Sequence, residues 1–154
     1  MTDQTAPPPL LPYLRDATIA DAAGVAALLE TLGYPCDRNE AAARIASVEP
    51  DPRQRLIVAD HHSDCCGLVA LHAIYSIAHG ADICRITALV VAPTYRRRGI
   101  GQLLLREAHA WARSTGAARI EVTSTAHRES GLAFYRHSGY ADGSLRFVKR
   151  LGEA

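Results

Sequence analysis

A chain of 154 residues with 48% apolar and 21% charged side chains can bury the core of one globular domain. Its 17 basic and 16 acidic residues leave a formal charge of +1, which removes the electrostatic case for a nucleic-acid binder. No apolar run reaches the roughly 18 residues that span a bilayer, and residues 1–12 have neither the basic start nor the apolar centre of a secretory signal.

In chain order, Pro7-Pro8-Pro9 and Pro12 make residues 1–12 an extended, mobile leader ahead of a domain at 13–154. Tyr13-Leu14-Arg15 reads as a first strand. Thr18-Ile19-Ala20-Asp21 has capping-box spacing with Asp in the place of Glu or Gln, and Val25, Leu28, Leu29 and Leu32 then recur at helical spacing up to Gly33. A second helix is predicted over about 38–48, ended by Pro50 and Pro52. Leu56–Ala59 is a strand, 60–64 its turn, Leu68–Tyr75 the returning strand and Ile83–Val91 a third, stopped by Pro93. After Gly101, Leu104, Ala108, Trp111 and Ala112 line one side of a helix capped by Gly116. Ile120 and Val122 alternate as a strand, 130–137 is a short helix before Gly139, Tyr140 opens a last strand segment, and Leu145–Val148 is expected to finish the sheet. Strands and helices in this order build a mixed sheet with helices on its faces, an α/β sandwich.

The cysteines, Cys36, Cys65, Cys66 and Cys84, read as reduced thiols of a cytoplasmic protein. His61-His62-Ser63-Asp64-Cys65-Cys66 is read as a polar hairpin turn and not a metal cluster. Neighbours on a strand point to opposite faces, and no second Cys/His pair stands at finger-like spacing.

The informative segment is Arg96-Arg97-Arg98-Gly99-Ile100-Gly101-Gln102, set between the apolar run Ile86–Val91 and an amphipathic helix. Strand, basic glycine loop and helix in this order form an anion cradle: glycine admits a ligand close to the backbone, and the free amides and dipole of a helix start favour negative charge. A plain turn with solvated arginines is the simplest competitor. A localisation patch is opposed by the near-neutral charge, a dinucleotide fold by Leu104 in the third glycine's place, and a Walker loop by the lack of Gly-Lys-Ser/Thr.

The stretch Val90-Val91-Ala92-Pro93-x-Tyr95-Arg96-x-x-Gly99-x-Gly101-x-Leu103-Leu104 resembles the acetyl-CoA-binding segment of the GNAT acyltransferase superfamily. Arg15-Asp16-Ala17-Thr18 with Asp21 resembles that family's opening, Gly67-Leu68-Val69 its central strand, and Ala133-Phe134-Tyr135-Arg136-His137-Ser138-Gly139-Tyr140 its helix-to-strand segment. The resemblance implies a single α/β (α+β) domain: a mixed, mostly antiparallel sheet with central parallel strands splayed apart, flanked by about four helices. It implies acetyl transfer from acetyl-CoA, as co-substrate and without a metal, to an amine of a small molecule or protein by direct attack on the thioester. Neither nucleic acid nor membrane is an expected partner. Dimers are common among such proteins, and no interface signature stands out here. A non-catalytic acyl-CoA-binding regulatory module is the alternative, and an interaction protein without cofactor a third reading.

By the same resemblance the pantetheine arm lies between the Ile86–Val91 and Ile120–Ser124 strands. Backbone groups of Leu89, Val90 and Val91 pair with it, and an N–H near Val90 holds the thioester oxygen. The diphosphate falls on the amides of Arg97, Arg98, Gly99, Ile100, Gly101 and Gln102, helped by Arg96 and its neighbouring arginines. Tyr135 matches the general-acid tyrosine, whose phenol protonates the leaving thiolate. Many relatives carry an acid where this chain has Thr87, which cannot be a base; Glu30, Glu121, His127 and Glu129 could replace it through water, and spacing selects none of them. Arg128 stands where Asn is frequent and is expected to contact the cofactor or to be exposed, and Ser124 and Thr125 are candidate acceptor-pocket residues by position.

Overall fold

The computed structural model describes residues 8–123 and 129–152. In chain order the elements are β1 (Tyr13–Asp16), α1 (Ala22–Leu32), α2 (Arg38–Val48), β2 (Gln54–His61), β3 (Asp64–Ser76), β4 (Ala81–Val91), α3 (Ile100–Ser114), β5 (Arg119–Val122) and α4 (Glu129–His137). They fall in two compact units, one through Thr123 and one from Ser124. The first holds a sheet in the order β1-β2-β3-β4-β5. Its first three pairings are antiparallel and β4–β5 is parallel, with α3 supplying the crossover that a parallel neighbour requires.

The local chemistry explains the elements. Arg15 on β1 grips both carboxylate oxygens of Asp21 at 2.8 Å, and Asp21 in turn accepts the Thr18 N–H at 2.8 Å, so β1 and the entry to α1 are held by one buttress. Asp37 and Glu40 exchange backbone and side-chain bonds of 2.8 and 2.9 Å and start α2. One face of the sheet packs Val58, Leu68 and Val90 against Val25, Leu28, Ala41 and Ile45 of α1 and α2. On the other face Gly67 leaves room for α3: a Cβ there would stand 3.1 Å from Leu104 and 3.3 Å from Ile100. Ile100, Leu104, Leu105 and Ala108 are buried along α3, and each large side chain so buried contributes about 1.5–3 kcal/mol.

Two sequence expectations are corrected. The β2–β3 turn is only His62-Ser63, both at positive φ (49° and 70°), with the Ser63 N–H bonded to Asp60 Oδ1 at 2.9 Å; the strands therefore run longer than the five-residue turn at 60–64 allowed. The strand expected at Leu145–Val148, opened by Tyr140, does not form: residues 140–151 carry no regular structure, and Leu145, Phe147 and Val148 are 83%, 89% and 70% exposed. An apolar segment makes a strand only where a neighbour supplies the other half of the ladder, and none of the described strands pairs with this one. No helix among the described residues is long and apolar enough to cross a membrane.

Candidate active site

The site is built on the open edge of β4. The β3–β4 register runs Leu71↔Ile86 and then Ala70↔Ala88, so Thr87 is an inserted bulge residue, its hydroxyl donating to the Ala70 carbonyl at 3.3 Å. On the opposite edge, β5 pairs with β4 only from Ile83↔Arg119 to Ile86↔Val122. Beyond Ile86 that edge of β4 has no strand beside it among the described residues.

Ladder parity decides which groups the open edge offers. Ala92 N–H donates to the Cys66 carbonyl at 2.9 Å, one residue past the Gly67↔Val91 pair. Residues facing each other in an antiparallel ladder alternate between bonded and non-bonded pairs. Val90 therefore turns its peptide groups toward β3, and Leu89 and Val91 turn theirs to the open edge. The backbone site expected around Leu89, Val90 and Val91 thus resolves into two outward-facing residues flanking an inward-facing one, whose side chain is buried against α1 and α2. Arg96 Nε donates to the Val91 carbonyl at 3.3 Å and closes the end of that edge.

Between β4 and α3 the chain makes a tight turn. Tyr95 N–H bonds the Ala92 carbonyl at 2.9 Å, and its hydroxyl bonds Asp64 at 2.8 Å, tying the turn to the β2–β3 hairpin. Arg97 (φ 63°) and Gly99 (φ 84°) are both left-handed, and Gly99 is the N-cap of α3. The first bond into α3 is Leu103 N–H to Gly99 O at 3.2 Å, so the amides of Ile100 and Gly101 precede the helical ladder and have no acceptor within it. Arg96 and Arg97 are exposed around this mouth and Arg98 is half-buried, its Nε bonded to the Pro8 carbonyl at 3.1 Å. Gln102, in the first turn, is exposed. The leader also meets this loop at Leu10, whose N–H donates to Arg98 O at 3.0 Å. Nothing in the leader's composition pointed to that contact, because proline-rich segments are read as mobile.

Tyr135 belongs to the second unit. It is half-buried on α4, its ring edge-on to Phe134 at 5.2 Å and to Tyr140 at 5.5 Å, and burial raises its phenol above the ordinary range. Gly139 (φ 94°) ends α4 with paired bonds, Tyr140 N–H to Tyr135 O at 3.0 Å and Gly139 N–H to Arg136 O at 3.1 Å, so the C-cap fixes the residue that carries the phenol.

The remaining candidates separate clearly. Glu121 lies across from Arg85 in the β4–β5 ladder, and its oxygens are held by Arg85 at 3.0 Å and Arg119 at 3.2 Å, so both are engaged in ion pairs. Glu30 is exposed on α1. Ser124, Thr125, His127, Arg128 and the side chain of Glu129 lie outside the described residues. Burial raises the thiols of Cys65 to about 12 and of Cys84 to about 11, and pushes Cys66 up as well. No group of His, Cys, Asp and Glu among the described residues is placed to hold a metal ion.

Comparison with known proteins fits this frame. Residues 25–140 match the model of the acetyltransferase (GNAT) family. The chain is 32% identical over 143 residues to an aminoalkylphosphonate N-acetyltransferase of Salmonella typhimurium, covering 90% of each. A Trypanosoma brucei acetyltransferase shares its fold with a TM-score of 0.76 at 24% identity, over 90% of this chain and 99% of that one. A protein titled a transcriptional regulator, from Bacillus halodurans, reaches 0.82 at 20% identity, over 92% and 100%. The protein is thus an acyltransferase. The chain belongs to the acetyltransferase (GNAT) family, whose members use acetyl-CoA as co-substrate.

Proposed function

We propose that the protein moves the acetyl group of acetyl-CoA directly to the primary amine of a small molecule that also carries an anionic group, with aminoalkylphosphonates as the first class. The amine nitrogen bonds to the thioester carbonyl carbon, the C–S bond breaks, the nitrogen loses a proton and the departing sulfur gains one. The observation that carries the reading is the edge of β4 beyond Ile86, without a strand beside it among the described residues, leading into the amides of Ile100 and Gly101 at the start of α3. An extended arm with amides can add to such an edge as a strand would, placing a diphosphate at the helix mouth.

Within this reading the Leu89 and Val91 N–H groups hold the arm and the thioester oxygen, where charge develops during attack. Amides from Gly99 to Gln102, with Arg96 and Arg97, take the diphosphate. Tyr135 supplies the proton to sulfur, since a buried phenol stays protonated well above neutral pH. Direct attack is favoured over an acyl-cysteine route through Cys65, Cys66 or Cys84, because burial raises each of these thiols away from the nucleophilic thiolate.

Two observations support an anionic acceptor. One is the 32% identical relative that acts on aminoalkylphosphonates. The other is Arg85, exposed two residues before the Thr87 bulge and hence about 7 Å along β4, where it and Arg119 share the single carboxylate of Glu121, two guanidinium groups to one acid. Guanidinium forks match the oxygens of a phosphonate.

The test is thiol release from acetyl-CoA over a panel of amines differing in their anionic group. Faster release with 2-aminoethylphosphonate than with neutral amines of equal length supports the proposal. Release confined to neutral or peptide amines overturns the acceptor class, and CoA binding without release for any amine overturns the transfer.

A further inference from the structure

We infer that residues Pro8–Leu10 act as a strap that sets the geometry of the diphosphate loop, with the Leu10 N–H as the positioning group. This rests on the reading that the loop receives the CoA diphosphate.

Two hydrogen bonds and one close approach place the leader on the loop. Leu10 N–H donates to Arg98 O at 3.0 Å. Arg98 Nε donates back to Pro8 O at 3.1 Å. Pro9 Cβ lies 3.9 Å from the point a Cβ on Gly99 would occupy. The strap thus engages both the main chain and the side chain of the residue before the N-cap.

The consequence follows from the planar peptide unit. In a trans peptide the carbonyl of one residue and the N–H of the next point in opposite directions, and the Arg98–Gly99 bond is trans. A donor that holds Arg98 O on one side therefore aims the Gly99 N–H to the other, away from the leader. The same bond polarises the peptide and strengthens Gly99 as a donor. The loop needs such a hold, because Arg97 and Gly99 both sit in the left-handed region, where a non-glycine residue is strained. The prolines keep the strap extended before it docks, which lowers the entropy lost in ordering it.

Leu10→Pro deletes the donor and keeps the backbone extended; replacing the Leu10 amide by an ester deletes the N–H alone and serves if the proline variant does not fold. Leu11→Pro, one residue on, is the matched control. Each is assayed with acetyl-CoA and with S-acetylpantetheine, which lacks the diphosphate. The strap predicts a KM for acetyl-CoA raised about five- to tenfold at Leu10, an unchanged kcat, no change with S-acetylpantetheine and none at Leu11. An unchanged KM for acetyl-CoA, or equal losses with both donors, overturns the strap. Failure of the wild-type chain to bind CoA at all overturns the cradle on which it rests.

Discussion

Ala92 and Cys66 are joined by a 2.9 Å backbone bond, and its parity determines what β4 can offer a ligand. It turns Val90 inward and Leu89 and Val91 outward. Amide hydrogen exchange reads this residue by residue. The Val90 amide is expected to be protected with and without CoA, while those of Leu89 and Val91 exchange fast in the free protein and slow when CoA is added. Protection of all three in the free protein would show that the edge is already occupied.

Gly99 caps α3 at φ 84°. Alanine there meets Pro9 at no closer than ordinary contact, so the penalty is conformational: roughly 1–2 kcal/mol for a left-handed non-glycine residue. Gly99→Ala is expected to lower stability by about that amount in urea unfolding and to weaken CoA binding about tenfold by calorimetric titration. Retained affinity at reduced stability would separate the residue from the ligand.

Tyr135→Phe keeps the ring packing against Phe134 and Tyr140 and removes the proton. A fall in kcat of about 10²-fold with little change in the KM for acetyl-CoA is expected. The active form of this group is the protonated one. Its burial-raised phenol gives activity that holds across neutral pH and falls only as pH rises through the raised value, above the ordinary phenol near 10. Loss of that alkaline limb in Tyr135→Phe is the pH signature, read from kcat profiles.

Asp21 links β1 to α1 through Arg15, whose hydrogen bonds hold its carboxyl below the usual 3.8. A carboxylate with a depressed folded value adds stability above 3.8 that disappears as pH falls through the folded value. Asp21→Asn is expected to cost about 1–2 kcal/mol at neutral pH, discounted for the partly exposed arginine, and to flatten the acid side of the stability curve. Denaturant unfolding from pH 7 to 2 measures both; parallel curves for the two proteins would remove Asp21 from the buttress.

Much of the frame was legible because local chemistry and global packing agree. Pro50 and Pro52 ended α2 at 38–48 without tertiary information, and the glycine loop between an apolar strand and an amphipathic helix marked the start of α3. What was not legible depends on pairs of distant segments. His62-Ser63 turns in the left-handed region without a glycine to announce it. Thr87 is a bulge only by comparison with β3, and the roles of Leu89, Val90 and Val91 divide only once the register is known. The apolar residues of Leu145–Val148 meet no partner strand among the described residues, which nothing local announces. Leu10 meets Arg98 across 88 residues, a contact no local signal encodes.

The central claim is that the main-chain amides at the start of α3 receive a CoA diphosphate. A crystal structure of the protein grown with CoA tests it most directly. The diphosphate oxygens are expected within hydrogen-bond distance of the Gly99, Ile100 and Gly101 amides, with the pantetheine arm along Leu89 and Val91. CoA bound elsewhere, with those amides facing solvent, would contradict it.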